Sequence, residues 1–396
     1  MKITWSIPVR GERLDSNRGD LVRARQLIEA LRSQGHEVHV VEDAARAGAA
    51  LVVSAYRRGA QRILPLRPAR VLRDIGRWLH GLVHGRRVAR HAREQAADVI
   101  VETQVNLAAS GAAAARATGL PLLLDDCSPS EEEALLGAGL PALARYVFRQ
   151  QEQAASIIVA SSQALRNRLV GQGVAADKLV VIPNGADLSA YERIDHAAAR
   201  AELGLTDKCV LGFLGSFQPW HGVELLVEAA SRLAADHPIH VLLIGDGPMR
   251  ESVLACARQL GLGERITALG AVPAAQVPRL LAAFDIAVLP GSNDYGHPMK
   301  LLDYAAAGLP TVAPDLPPVR EVITDGVTGL LFPPGDRAAL TRALARLAGA
   351  ERLRHKLGRQ ARERCARDST WAARARAMTA CVTAPPAQQH AAGVST

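Results

Sequence analysis

The sequence predicts an α/β protein built as two doubly wound domains with parallel sheets. Three observations carry that reading. Short β-branched or apolar runs alternate with helical patterns from end to end, the rhythm of a parallel sheet covered on both faces by crossover helices. The alternation lapses once, near Asn184–Arg200, where the Asn184-Gly185 turn signal leads into a charged segment. A chain of 396 residues with 48% hydrophobic content is ample for two cores, which at 4% aromatics must be built from Leu, Val, Ile and Ala.

The strands of the first half are expected at Ile3–Ile7, Val38–Val41, Val99–Val101, Leu122–Leu124, Ile157–Val159 and Leu179–Ile182. Between the first two lies a helix over Leu21–Ser33, with Leu27, Ile28 and Leu31 on one face. The second half repeats the scheme at Val210–Leu214, Val241–Ile244, Ile266–Leu269, Ile286–Leu289 and Thr311–Ala313, and Glu351–Ala380 reads as an Arg-rich helix. The expected limits are 1–188 for the first domain, 189–365 for the second, 366–382 for a closing helix, and 383–396 for a tail without hydrophobic pattern, read as disordered.

Composition narrows the function. The opening MKITWSIPVRG reads as a first strand rather than a signal peptide, and nowhere do about 18 apolar residues run uninterrupted. These features predict a soluble, cytoplasmic protein. Cys127, Cys209, Cys256, Cys365 and Cys381 are scattered without CxxC or zinc spacing, which predicts reduced thiols and no structural metal. The net charge is +8, but residues 57–93 hold eleven arginines against the single acid Asp74, a local +10 that leaves −2 for the rest. Within this patch, residues 70–91 read as a helix with Arg70, Arg73, Arg77, His80, His84, Arg87 and His91 on one stripe and Val71, Ile75, Trp78 and Leu82 opposite. That is the pattern of a basic amphipathic helix on an anionic membrane, or of a surface helix turning its apolar stripe to the core. Gly76, Gly81 and Gly85 weaken the helix. No nucleic-acid recognition motif accompanies the charge, so nucleic acid is not an expected partner.

Candidate site residues cluster where strands end. In the stretch 289–314, LPGSNDYGHPMKLLDYAAAGLPTVAP, a strand runs into a loop with Gly296, His297 and Pro298, and a helix begins at Met299. Such a unit offers backbone N–H groups and a positive dipole end to an anion. Lys300 adds charge in the first turn, and Asp303, one turn on, suits sugar hydroxyls, so a phosphate and a ribose are the expected occupants. Arg18 and Gly19, just before the first helix, offer a phosphate contact or an ordinary solvated loop. GFLGS at 212–216 lacks the third glycine of a dinucleotide fingerprint, which argues against a dehydrogenase. GSFQPWHG at 215–222 places Trp220 and His221 beside Gly215 and Gly222, to stack on or bond a ligand or to pack on the next helix. In IGDGPMR at 244–250, Arg250 is a phosphate partner or a surface arginine. Asp125 and Asp126 end a strand, where open α/β sheets bind ligands. Glu131, Glu132 and Glu133 read as dipole-complementing residues at a helix start. No paired carboxylates at glycosidase spacing, no Ser/His/Asp set and no HExxH can be read in the sequence.

The ordered set RG (18–19), QGHEV (34–38), VIPNGAD (181–187), GSFQPWHG, GDGP (245–248), ALGAVP (268–273), HPMKLLDYAAAGLPTVAP (297–314) and EVITDGVTGLLFPPGD (321–336) resembles the family 4 glycosyltransferases over about residues 1–375. It is most similar to members with WHG in the loop and PxK…EY in the donor helix, several of which serve exopolysaccharide or cell-envelope glycan synthesis. The resemblance implies a GT-B fold: two Rossmann-like domains facing across a cleft, acceptor bound by the first and nucleotide sugar by the second, with the closing helix around Trp371 crossing back to the first. It implies a retaining, metal-independent transfer of sugar from a nucleoside diphosphate, with no cofactor, to a glycan or lipid-linked acceptor at the inner face of a membrane. The family's Glu-x7-Glu pair maps onto Tyr295, with Asp294 beside it, and Asp303. Its phosphate-neutralising Arg and Lys map onto Ser216 and His221. The expected site is therefore Asp125, Asp126, Tyr295 and His297 for catalysis. Arg18, Gly19, Gly215, Ser216, His221, Arg250, Asp294, Gly296, Pro298, Met299, Lys300, Leu301 and Asp303 are expected to hold the donor. The departures at Tyr295, Ser216 and His221 keep a second reading open, a catalytically silent subunit that binds a glycan or partner protein.

Overall fold

The computed structural model describes residues 1–9, 13–16, 18–43, 66–126, 128, 139–192 and 194–383. Cys127, Glu131–Glu133, the 57–65 part of the basic patch and positions 384–396 of the expected tail lie outside the described residues. The chain divides into two units, residues 1–183 with 374–396, and residues 184–373. The first unit thus ends five residues before the expected limit of 188, and the closing helix is shared between the two from Arg374 on.

In the first unit, β1 (Lys2–Ile7), β2 (Glu37–Glu42), β3 (Val99–Thr103), β4 (Leu122–Asp126), β5 (Ile157–Ala160) and β6 (Leu179–Val181) form one sheet in the order β2-β1-β3-β4-β5-β6. Every pairing is parallel, with Lys2 opposite Glu37 through Ile7 opposite Glu42 between the first two strands. The crossovers include α1 (Gly19–Ser33), α2 (Leu66–Glu94), α3 (Ser110–Thr118), α4 (Pro141–Ala154) and α5 (Gln163–Gly171). The central strands β3 and β4 are buried along their whole length, which is why they read as continuous apolar runs rather than alternating ones.

The second unit has its own six parallel strands, β7 (Cys209–Leu214), β8 (Ile239–Ile244), β9 (Ile266–Ala268), β10 (Ile286–Val288), β11 (Thr311–Pro314) and β12 (Gly329–Phe332), in the order β12-β11-β10-β7-β8-β9. Its helices are α6 (His196–Glu202), α7 (Val223–Leu233), α8 (Arg250–Gln259), α9 (Val277–Leu281), α10 (Met299–Ala306), α11 (Pro317–Arg320), α12 (Arg337–Ala348) and α13 (Glu351–Asp368), and α14 (Trp371–Thr383) closes the chain. Successive side chains of a strand feed two separate cores. Val210 and Leu242 join a cluster with Tyr304 and Phe284, while Leu211 and Val241 join one with Phe217 and Leu226. The sheet is therefore covered on both faces, the packing that parallel strands require.

The helical segment expected over Glu351–Ala380 comprises two helices, α13 and α14, separated at Ser369–Thr370, where Thr370 bridges to Ala186 and Ser369 O accepts the Ala186 N–H. Trp371 is buried there. One expectation needs correction. The helix around 70–91 exists as α2 but turns a different face inward. Its buried stripe is Asp74, Gly81, His84, Gly85, Val88 and Ala92, whereas Leu72, Leu79, Leu82 and Val83 are 36–58% exposed. The glycines decide this. A Cβ on Gly85 would lie 2.9 Å from Ala113 Cβ and Ser110 O, and one on Gly81 3.1 Å from Ala108 Cα. Residues expected to weaken the helix instead let it lie against α3.

Candidate functional site

The site-forming residues of the second unit gather at the carboxyl ends of β7, β8 and β10. The loop after β7 turns at Gly215 (φ 140°) and the loop after β8 at Gly245 (φ 128°). The two loops touch, since a Cβ on Gly245 would fall 2.0 Å from Gly215 O, so only glycine fits. The helices that follow, α7, α8 and α10, all begin without a side-chain cap. The N–H groups of Leu225, Arg250 and Leu301 bond the carbonyls of Gly222, Gly247 and Pro298, whereas those of Met299 and Lys300 make no hydrogen bond among the described residues. Among the three, α10 alone carries no acidic residue in its first turn, so its positive end is not already neutralised.

Lys300, in the first turn of α10, is half-buried, and its Nζ lies 3.0 Å from His221 Nε2 and 4.9 Å from the centre of the Phe213 ring. His221 Nδ1 bonds the Ser216 carbonyl. A carbonyl only accepts, so Nδ1 carries the imidazole proton and Nε2 offers a lone pair to Lys300. Burial pushes His221 down to about 4, helped by the Lys300 charge. Burial likewise pushes Lys300 down to about 7, with Asp303 pulling the other way. Asp303 accepts a hydrogen bond from Tyr191 Oη at 2.9 Å. Burial raises it to about 6, against the Tyr191 bond and the Lys300 charge, which lower it. The arrangement is a carboxylate raised by burial and an amine lowered by burial, one turn apart at a helix start without a side-chain cap.

The loop before α10 is held by its own polar groups. Asn293 Oδ1 accepts the Gly296 N–H at 2.7 Å, and the buried His297 presents its carbonyl to Asn184 Nδ2 at 2.8 Å. Tyr295 is half-buried and Asp294 exposed, while Pro298 is the residue before the helix and Met299 its first. Arg250 opens α8, and its Nε is buried without a hydrogen-bond partner among the described residues. Leu301 is a correction: its side chain is 1% exposed in the apolar core and its N–H is bonded to Pro298 O, so it has nothing to offer a ligand.

The remaining candidates belong to the first unit. Asp125 is a second correction. Its carboxylate is fully buried and held by Arg23, whose Nε and guanidinium NH2 lie 2.9–3.1 Å from its oxygens. Arg23 also donates to Ile182 O at 2.9 Å, so the pair ties α1 to the ends of β4 and β6 rather than facing a reactant. Asp126 is buried and accepts the Ser128 N–H at 3.2 Å. Gly19 starts α1, and the Arg18 beside it forks onto Asp20 at 2.7 and 3.1 Å. Sequence reasoning missed Tyr191, Arg23 and Asn184, which act across 102 to 159 positions of chain. Only Asn184 lay in a motif already quoted, VIPNGAD.

Comparison with known proteins fits this geometry. Residues 21–190 match the model for Glycosyltransferase Family 4, and residues 195–364 match the model for Glycosyl transferases group 1. The chain belongs to the family 4 glycosyltransferases. It is 32% identical over 213 residues to a D-inositol 3-phosphate glycosyltransferase of Nocardia farcinica, a match covering 51% of this chain and 47% of that one. It is 31% identical over 193 residues to an exopolysaccharide phosphotransferase of Streptomyces coelicolor, covering 48% and 19% respectively. The matched region thus spans about half the length, or less, of these curated relatives. Among solved structures, Anabaena HepE in complex with UDP-glucose superposes with a TM-score of 0.75 at 20% identity, covering 97% of this chain and 99% of that one. The fold is that of the GT-B glycosyltransferases. Among the described residues no group of His, Cys, Asp and Glu is arranged to hold a metal, and no helix is long and apolar enough to cross a membrane.

Proposed function

We propose that the chain transfers a sugar from a nucleoside diphosphate to a hydroxyl of a glycan or lipid-linked acceptor, with retention of anomeric configuration and without a bound metal, in cell-envelope or exopolysaccharide synthesis. The observation that carries this reading is the uncapped start of α10, with Lys300 in its first turn and Asp303 one turn on. A diphosphate suits the helix end and the amine, and a ribose diol suits the carboxylate. A UDP-glucose complex of HepE, a protein of the same fold, supports the same donor class.

The chemistry asks the protein to stabilise charge rather than to supply a nucleophile. As the bond from sugar C1 to the diphosphate oxygen breaks, negative charge grows on the leaving group. The N–H groups at the start of α10 and Lys300 lie where that charge would be received. The acceptor oxygen bonds C1 on the face the diphosphate leaves, and the acceptor's proton passes to a departing phosphate oxygen. No protein base is required in this scheme.

A membrane contact fits α2. Leu72, Leu79 and Val83 lie exposed along one line of the helix, flanked by exposed Arg73, Arg86, Arg87 and Arg90. Apolar side chains between arginines match an anionic bilayer, where lipid-linked acceptors reside.

A thermal-shift screen of nucleoside diphosphates and their sugars tests the donor site. A ligand that binds only the folded chain at a hundredfold excess over its Kd adds about 2.7 kcal/mol of stability. One nucleotide is expected to raise Tm clearly in the wild type and not in Asp303→Ala, whose affinity should fall at least tenfold. Tyr295 and Ser216, where the family pattern has charged residues, favour the silent-subunit reading, and no shift with any nucleotide would select it.

A further inference from the structure

Asp303 stands where the family pattern has the longer Glu, so this chain brings a shorter acid to the candidate donor site. A residue from far away in the chain steadies it. Tyr191, 112 positions earlier, is buried with its ring in the same apolar core as Leu301, Leu302 and Cys365. Its turn, Leu188–Tyr191, is capped by Asp187, whose carboxylate accepts the Ser189 N–H at 3.1 Å and the Ser189 hydroxyl at 2.6 Å. From α13, the Arg362 guanidinium donates to the Tyr191 carbonyl at 3.4 Å. Fixed at ring and backbone, Tyr191 donates its hydroxyl to Asp303 Oδ1 at 2.9 Å. Asp303 Oδ2 makes no hydrogen bond among the described residues. The carboxylate is thereby divided into one oxygen held by the protein and one left to a ligand.

We propose that Tyr191 is a positioning residue that sets sugar selectivity: its hydroxyl holds Asp303 Oδ1 so that Oδ2 faces the ribose hydroxyls of the donor, and the pair selects ribonucleotides over deoxynucleotides. This rests on the donor reading above. A carboxylate free to turn would have to be ordered by the ligand at a cost in affinity, and the phenol orders it beforehand. A site built to bond a hydroxyl rejects the analogue that lacks it, because its buried acceptor is then left unpaired. Tyr191 touches no phosphate in this scheme. Its removal therefore acts on the ribose contact and not on binding in general.

The test is calorimetric titration of the full-length chain with UDP, or whichever nucleoside diphosphate gives the largest thermal shift, and with its 2′,3′-dideoxy analogue. The wild type is expected to bind the ribonucleotide about tenfold or more tightly than the analogue. Tyr191→Phe keeps the ring and removes the donor. It is expected to weaken the ribonucleotide about fivefold or more and to leave the analogue unchanged. A Tyr191 that only packs would weaken both ligands alike, so equal losses or an unchanged ratio overturn the proposal alone. Should Tyr191→Phe not fold, Asp303→Asn reads the same arrangement. A fixed Tyr191 hydroxyl keeps the amide oxygen and turns the NH2 group to the ribose, so the preference is expected to fall as far as in Asp303→Ala. A retained preference in Asp303→Asn overturns the proposal. Wild type that binds both ligands equally overturns the ribose role of Asp303 with it, and wild type that binds no nucleoside diphosphate overturns the donor reading as well.

Discussion

Glu102 shows what a single buried acid does to this fold. It sits at the end of β3 with no exposed surface, and its Oε2 accepts hydrogen bonds from Ser110 Oγ, the Gly111 N–H and Ser6 Oγ. Helix α3 has no capping side chain of its own, because Ala109 precedes it. The carboxylate from a neighbouring strand takes that place at the helix start. Burial nevertheless outweighs those bonds and pushes Glu102 up to about 7. Between about 4.5 and 7 the folded chain holds a proton that the unfolded chain has released, so this group lowers stability as pH rises through that window. Glu102→Gln keeps an acceptor and cannot ionise. Its Tm relative to wild type is expected to climb from pH 4.5 to 7 and then level off, while a constant difference would contradict the burial argument. At this scale the sequence was only partly legible. Lys300, Asp303 and His221 stood out from spacing and resemblance. Asp125 stood out equally, yet its partner Arg23 lies 102 positions away on α1, and nothing local announces a buried ion pair.

Elements were read well where one physical rule dominates. Parallel strands buried on both faces are mostly apolar, so β3, β4, β8 and β10 were visible as runs, even though β3 and β4 carry the buried acids Glu102, Asp125 and Asp126 near their ends. Helix α2 was harder because its buried face is made of glycines, alanines and polar residues rather than large apolar ones. A moment drawn from Val71, Ile75, Trp78 and Leu82 therefore points the wrong way. Close packing on α3 through Gly81 and Gly85 frees the larger side chains Leu72, Leu79 and Val83 for solvent. If that stripe meets lipid, Leu79→Glu both removes an inserted side chain worth about 1.5–3 kcal/mol and adds a repelled charge. Sedimentation with vesicles of anionic phospholipid is expected to show at least tenfold weaker binding than wild type, with Tm unchanged. Equal binding would assign the stripe another role.

The whole molecule repeats one design twice, a six-stranded parallel sheet that brings helix starts to its carboxyl edge. That repetition was legible from the alternation of runs and from the single lapse around Asn184. The exact limit at 183–184 was not, since the strand Leu179–Val181 is short and the turn after it continues the motif VIPNGAD. Charge divides unevenly, with the arginines concentrated in the first unit around α2 and the candidate donor residues in the second. The measurement that tests the central claim most directly is a crystal structure of the full chain with a bound nucleoside diphosphate. The account predicts density with the ribose against the Asp303 carboxylate and the phosphates against Lys300 and the first N–H groups of α10. Density for the nucleotide elsewhere, with no ligand at the start of α10, would contradict it.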